Sequence, residues 1–348
     1  MTSRNQQRLC RPDGDGIFGS EGLIFLALLL FAGFSAFGVA QTRYTANRPM
    51  STPMPTPAAP TVADELADYT PTHTTPVHWE TNYKHAMKTA KESSRCLLIY
   101  LYADNSTTIP EELAALPVIT ACQKFDTIIL DDGAVRTALN RYVLLKLPID
   151  AVVTSEDGTV VPISSLPGFE HIIGHPGLIA IDFENKEEPY YGELVGILPF
   201  LQGISATTEQ TETFLNLPPG TLTQRTLTYA VRIHPDKPLS TEGIPAPIML
   251  QLTTEHALYQ AERNVLTHQN FGVRSGQAQE ELGSGTPAEI CAQSQSGLGL
   301  FEGAIACMRA WRYSSAHWSI AKRTHRYYGY DMALGKNGAW YGVGFFID

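Results

Sequence analysis

Two imidazoles and a carboxylate are side chains that hold a divalent metal or pass a proton, and the C-terminal part of this 348-residue chain supplies such a set in His268, Glu289 and His317. No helix or strand spacing links the three, so only tertiary folding can bring them together. Three protein donors (nitrogen, oxygen, nitrogen) plus a water make an open zinc geometry. The same set, with Glu289 as general base, suits metal-assisted hydrolysis. A metal-free, hydrogen-bonded cluster is the plain structural alternative. Ser314 and Ser315 stand just before His317, but the Gly-x-Ser-x-Gly frame of a nucleophile elbow is absent.

The elements that must position these residues are legible in outline. Thr253 or Thr254 can cap a helix running to about residue 266, with Leu258, Ala261 and Val265 on one face. His268 follows in Thr267-His-Gln-Asn-Phe-Gly, with Gly272 as the exit turn. A second helix is expected to start near Pro287, with Glu289 in its first turn, where the dipole favours a carboxylate. A third covers 301–313, its apolar face made by Phe301, Ala304, Ile305, Met308 and Trp311. Beyond His317, two strands flank the Asn337-Gly338 turn, a strong hairpin cue. Three further histidines have plainer readings: His234 in a surface turn, His256 packed or capping in a helix, and His325 solvated in the basic turn Lys322-Arg-Thr-His-Arg.

The net charge of −10 argues against a nucleic-acid or anionic-membrane surface. Five cysteines are present, none in a CxxC or zinc-ribbon spacing. A Cys291–Cys307 bridge and separate burial of both thiols as small apolar groups are open alternatives. Residues 1–22 are polar with Arg4, Arg8 and Arg11, and 23–40 are charge-free and rich in Leu and Phe. Two readings fit that segment: a membrane anchor with a cytoplasmic N-terminus, or a signal peptide cut after Gly38-Val-Ala40. Either one exports everything that follows. Residues 41–76, rich in Pro, Thr and Ala, are expected to be a disordered tether.

A first folded domain is expected over 77–220. Trp79, Tyr83, Ala86, Met87 and Ala90 recur at helical spacing over 79–93, and Cys96-Leu-Leu-Ile-Tyr-Leu-Tyr-Ala reads as a strand buried on both faces. A helix over 110–125 follows, then strands over 142–149, 178–183 and 190–194. This order, with Gly174-His-Pro-Gly-Leu-Ile-Ala-Ile-Asp-Phe, resembles the thioredoxin fold over 79–217. The resemblance implies that Pro176 is its cis-proline. It also implies a redox CxxC after the first strand, but that place reads Asp104-Asn-Ser-Thr-Thr and holds no thiol. Thiol–disulfide exchange is therefore not expected, and a repurposed binding or scaffolding domain is. Residues 221–249, with an alternating stretch over 227–233 and then Pro235, Pro238, Pro245 and Pro247, read as a strand-like connector.

Residues 250–348 resemble the CAP superfamily (cysteine-rich secretory proteins, antigen 5, pathogenesis-related 1), especially its bacterial SCP-like members. The resemblance rests on Ala261…His268, Ala288-Glu-Ile-Cys-Ala, Trp311-Arg-Tyr-Ser-Ser-Ala-His-Trp and the closing Gly/aromatic strands. It implies an α-β-α sandwich with an open cleft. There His268, Glu289 and His317 match residues that can hold zinc, and Ser314 falls where the family has a second glutamate. The whole is thus expected to be an α/β protein, thioredoxin-like then CAP-like, tethered to a membrane and extracytoplasmic, or secreted if cleaved. Its cleft would take a small apolar, lipid or cell-envelope ligand, with zinc as an optional cofactor. The alternatives are a metal-dependent hydrolase of envelope peptides and a structural or assembly protein of the envelope.

Overall fold

A capping box opens the helix that matters most to this architecture. Thr221 accepts from the Gln224 amide, and Gln224 reaches back to the Thr221 backbone, starting a helix over Leu222–Arg232. Every residue from Gln224 to Val231 is buried. The strand expected over 227–233 is thus wrong. A helix covered all round loses its 3.6-residue apolar stripe, so Leu227, Tyr229 and Val231 were left to mimic a strand's alternation.

The structure is a computed structural model, and it describes residues 61–155, 158–172 and 174–348. The expected anchor or signal segment over 23–40 and the start of the tether lie outside them. Among the described residues no helix is long and apolar enough to cross a membrane.

The first half contains α1 (Val62–Asp68), α2 (Tyr83–Ser93), β1 (Leu97–Tyr102), α3 (Val118–Lys124), α4 (Gly133–Leu139) and β2 (Val143–Pro148). There follow β3 (Val152–Thr154), β4 (Val160–Pro162), β5 (Gly177–Ile181), β6 (Leu194–Pro199) and α5 (Thr208–Leu215). The sheet order is β2-β1-β5-β6, with β1 parallel to β2 and antiparallel to β5. Pro176 is buried directly before β5, and its carbonyl accepts from the Phe200 amide at 2.8 Å. The final strand starts at Leu194, where the expected 190–194 strand was to end, because 184–193 is all loop.

Residues 61–75 are not the disordered tether expected there. Thr61 and Asp64 form a capping box, and Glu65 pairs with Lys124 at 2.5 Å. Tyr69 Oη, the Thr72 amide and hydroxyl, and the His73 amide all donate to the Asp131 carboxylate. Many donors on one carboxylate hold a strap that has little apolar surface to bury.

The second half contains α6 (Leu222–Arg232), β7 (Ile244–Pro245), α7 (Pro247–Arg263), α8 (Phe271–Leu282) and β8 (Pro287–Gln293). It closes with α9 (Leu300–Tyr313), α10 (Ser315–Ala321), β9 (Tyr327–Leu334) and β10 (Trp340–Ile347). The sheet order is β7-β9-β10-β8, and β8, β9 and β10 are antiparallel. Period-two alternation splits β10 between two layers. Tyr341, Val343, Phe345 and Ile347 pack with α7 and α8, while Trp340 and Phe346 join the core that contains α6 and α9. On that second face a Cβ at Gly303 would come 2.2 Å from Trp340 Cδ1, so only glycine lets α9 approach the sheet. One buried core runs through both halves, because α6 packs on β6 as well as on β9.

Two helix starts differ from expectation. α7 begins at Pro247, a favoured first-turn position, so Thr253 and Thr254 are mid-helix and bond back to main-chain carbonyls of the preceding turn. The segment around Glu289 is strand β8 rather than a helix. The preceding helix, α8, is stopped by Gly283 at φ +89°.

Candidate functional site

Glu289 is the centre of the site. Its position on β8, opposite Phe345, turns it toward the α7–α8 layer. Its side chain is only 2 % exposed. Arg274, on α8, donates to Oε2 through Nε at 2.8 Å and Nη2 at 2.6 Å. The other oxygen, Oε1, receives His268 Nδ1 at 2.9 Å and lies 3.7 Å from both Cys291 Sγ and His256 Nε2. Burial alone raises the Glu289 carboxyl. The His268 hydrogen bond and the Arg274 and His256 charges more than offset that, so its pKa ends below the ordinary glutamate value. The carboxylate is held ionised at the base of the site.

His268 sits in the α7–α8 loop, not in a helix exit turn. Asn264 ends α7 in the left-handed region, and the Thr267 amide donates to Gln260 Oε1 at 3.0 Å. Arg274 Nη1 ties down the Gln269 carbonyl at 2.8 Å. Since the carboxylate Oε1 only accepts, His268 Nδ1 is the donor in this bond. The His268 side chain is 49 % exposed, so the deep carboxylate orients a half-exposed imidazole.

His317 lies past the end of α9, inside the short helix α10 and beside the edge strand β8. Ser314 caps α10 by accepting from the His317 amide at 3.4 Å. The rings of His268 and His317 are 5.8 Å apart. Burial, then the neighbouring His268, lower the His317 pKa, which favours a neutral imidazole. The fold therefore brings His268 against Glu289 and His317 against His268. Ser314 acts on His317 through the backbone.

Three partners escaped the sequence. Arg274 carried no motif. His256 is buried, and its Nε2 donates to the Thr267 carbonyl at 2.8 Å. Cys291 is buried, with Sγ 3.6 Å from His268 Nδ1. Burial, then Glu289, raise its thiol pKa well above the ordinary value. The usable signals were the i, i+4 pair His256 and Gln260 on one helix face, and the i, i+2 pair Glu289 and Cys291 on one strand face. The donor atoms of His256, Glu289 and Cys291 all lie within 4.8 Å of one another.

Cys291 and Cys307 are free thiols. Cys291 faces α7, whereas Cys307 packs over Gly342 on the other side of the sheet, so no bridge can form between them. His325 is buried, not solvated: Nδ1 meets Asp348 at 2.6 Å, Nε2 donates to the Ile320 carbonyl, and the ring stacks on Phe346.

Beside the first sheet, a cavity of about 330 Å³ is lined by Trp79, Tyr102, Asp126 and Lys146. Its Lys146–Asp126 ion pair closes at 2.7 Å, with the ammonium against the Tyr100 and Tyr102 rings. No family model, curated protein or solved structure matches this chain.

Proposed function

We propose that residues 250–348 form a CAP-like binding module whose working site is the Glu289 cluster. The observation that carries this reading is a buried, ionised carboxylate clamped by Arg274 on one oxygen and presenting the other to a half-exposed histidine. Helices on both faces of the β9-β10-β8 sheet support the CAP-like reading, as does the proximity of His268, Glu289 and His317. The order β2-β1-β5-β6 supports a thioredoxin-like first half. In that half, where a CxxC would stand, Asp104 folds a turn by accepting from the Ser106 amide and the Ser106 and Thr107 hydroxyls. Burial, then Asp182, push the Cys96 thiol up to about 11. Burial also raises Cys122. Neither thiol is poised for exchange.

Beside the expected set of His268, Glu289 and His317, a second donor set supports a divalent ion. His268 Nδ1, Glu289 Oε1 and Cys291 Sγ are 2.9, 3.6 and 3.7 Å apart. A tetrahedral zinc, with bonds of ~2.0–2.3 Å, sets its donors about 3.3–3.6 Å apart. The set fits if the His268–Glu289 edge opens by a few tenths of an ångström and both His268 Nδ1 and the thiol release their protons. A bound ion would supply Lewis acidity to the polar end of a ligand. His256 orients the cluster, since its Nε2 proton belongs to Thr267. The proposed ligand is a small apolar or cell-envelope molecule, met outside the cytoplasm by a protein tethered through residues 23–40.

Cobalt(II) titration of the full-length protein tests the site. A thiolate-to-cobalt charge-transfer band, lost in Cys291→Ser, is the expected result. Binding without that band, abolished by His317→Ala, would move the ion outward to the histidine pair. No binding to either set leaves the cleft without metal.

The lowered pKa of His317 favours a second reading, a hydrolase. Glu289 is a poor general base there, because both of its oxygens are engaged and its pKa is depressed. His317 takes that role in this reading. Turnover of envelope peptides that vanishes in His317→Ala while cobalt stays bound would establish it.

A further inference from the structure

A cavity of about 380 Å³ lies between the first sheet and α6, and two opposite buried charges line it without pairing. Arg225, on α6, is only 7 % exposed. Its Nη1 donates to the Leu217 and Pro218 carbonyls at 3.1 and 2.7 Å, while Nε is buried with no partner. It makes no ion pair among the described residues, and a guanidinium cannot shed its charge by deprotonation. An uncompensated buried cation is destabilising.

Asp182, 3 % exposed, lines the same cavity just beyond β5. It accepts from the Asn185 amide at 2.9 Å and Nδ2 at 2.6 Å, and from the Cys96 thiol at 3.6 Å. It too has no cationic partner among the described residues. At the rim, the Arg95 and Arg141 guanidinia are held by main-chain carbonyls.

A plain anion entering this space meets Asp182 and Glu184. A plain cation meets three arginines. A molecule with a carboxylate for Arg225 and an ammonium for Asp182 satisfies both walls. We propose that this cavity binds a small zwitterion of the α-amino acid class, with its carboxylate on Arg225 and its ammonium toward Asp182. Leu215, Leu217 and Tyr142 offer the apolar wall for its side chain.

The test is a thermal-shift screen of the full-length protein against the individual amino acids. The best binder is then measured by calorimetry beside its N-acetyl and C-amide forms. The expected result is saturable binding that weakens at least about tenfold when either charge is removed, the loss of one charge-assisted contact. Asp182→Asn keeps an acceptor for Asn185, so it should fold; it should weaken the amino acid about tenfold and leave the N-acetyl form unchanged. No amino acid raising the melting temperature overturns the proposal. So do derivatives that bind as well as the parent, a comparison that requires no variant to fold.

Discussion

The Glu289 cluster and the Arg225 cavity both bury an arginine and a carboxylate, yet they are built in opposite ways. At Glu289 the charges touch: Arg274 lies 2.6 Å from Oε2, and His268 takes the other oxygen. At Arg225 the guanidinium rests on carbonyls, and Asp182 stands off across open space. A closed network fixes geometry, so the first region presents His268 in one orientation. An open one stores unsatisfied charge, so the second has a reason to take up a ligand.

The largest effect expected from this contrast is on stability. Glu289→Gln leaves Arg274 buried beside a neutral amide and should cost about 3 kcal/mol in chemical denaturation. Asp182→Asn removes a carboxylate that pairs with no cation and should cost less than about 1 kcal/mol. Equal losses would erase the distinction between closed and open networks.

Acid titration sharpens it next. The Glu289 pKa is lowered in the folded state, so the native protein binds fewer protons there than the unfolded chain. Its contribution is fully present above the unfolded carboxyl value of about 4.3 and is lost as pH falls through the lower folded value. Asp331, buried on β9, has its pKa raised by burial despite its Thr254 hydrogen bond. It acts with the opposite sign: stability falls as pH rises from the unfolded value of about 3.9 to the folded one. Glu289→Gln should therefore flatten the acid limb, and Asp331→Asn should steepen it, in denaturation midpoints followed against pH. The smallest effect is at His317. Its replacement by Ala should change stability by no more than about 0.5 kcal/mol, because the ring is half-buried and Ser314 caps the helix through the backbone. A larger loss would make His317 structural.

What could be read in advance depended on how local the signal was. The Asn337-Gly338 hairpin, the apolar strand 97–102 and the helix over 300–313 are written in neighbouring residues and stand in the structure. Helix α6 is hidden in the sequence because full burial erases its periodicity, although the Thr221…Gln224 capping box marks its start. At Glu289, Pro287 suggests a helix start, whereas the Glu289, Cys291, Gln293 alternation marks the strand that forms.

The sequence by itself determined the chemical inventory: an acidic chain with no CxxC, and the histidines and glutamate of one candidate site. Only the tertiary structure decided which of them meet. Arg274 and His268 reach Glu289 because α8 and the loop before it lie over strand β8, and Cys307 is kept from Cys291 by the sheet between them. Arg225 and Asp182, 43 positions apart, share a cavity because α6 is inserted between the two sheets. Pairing across elements follows from packing direction, and side-chain type along a chain does not encode it.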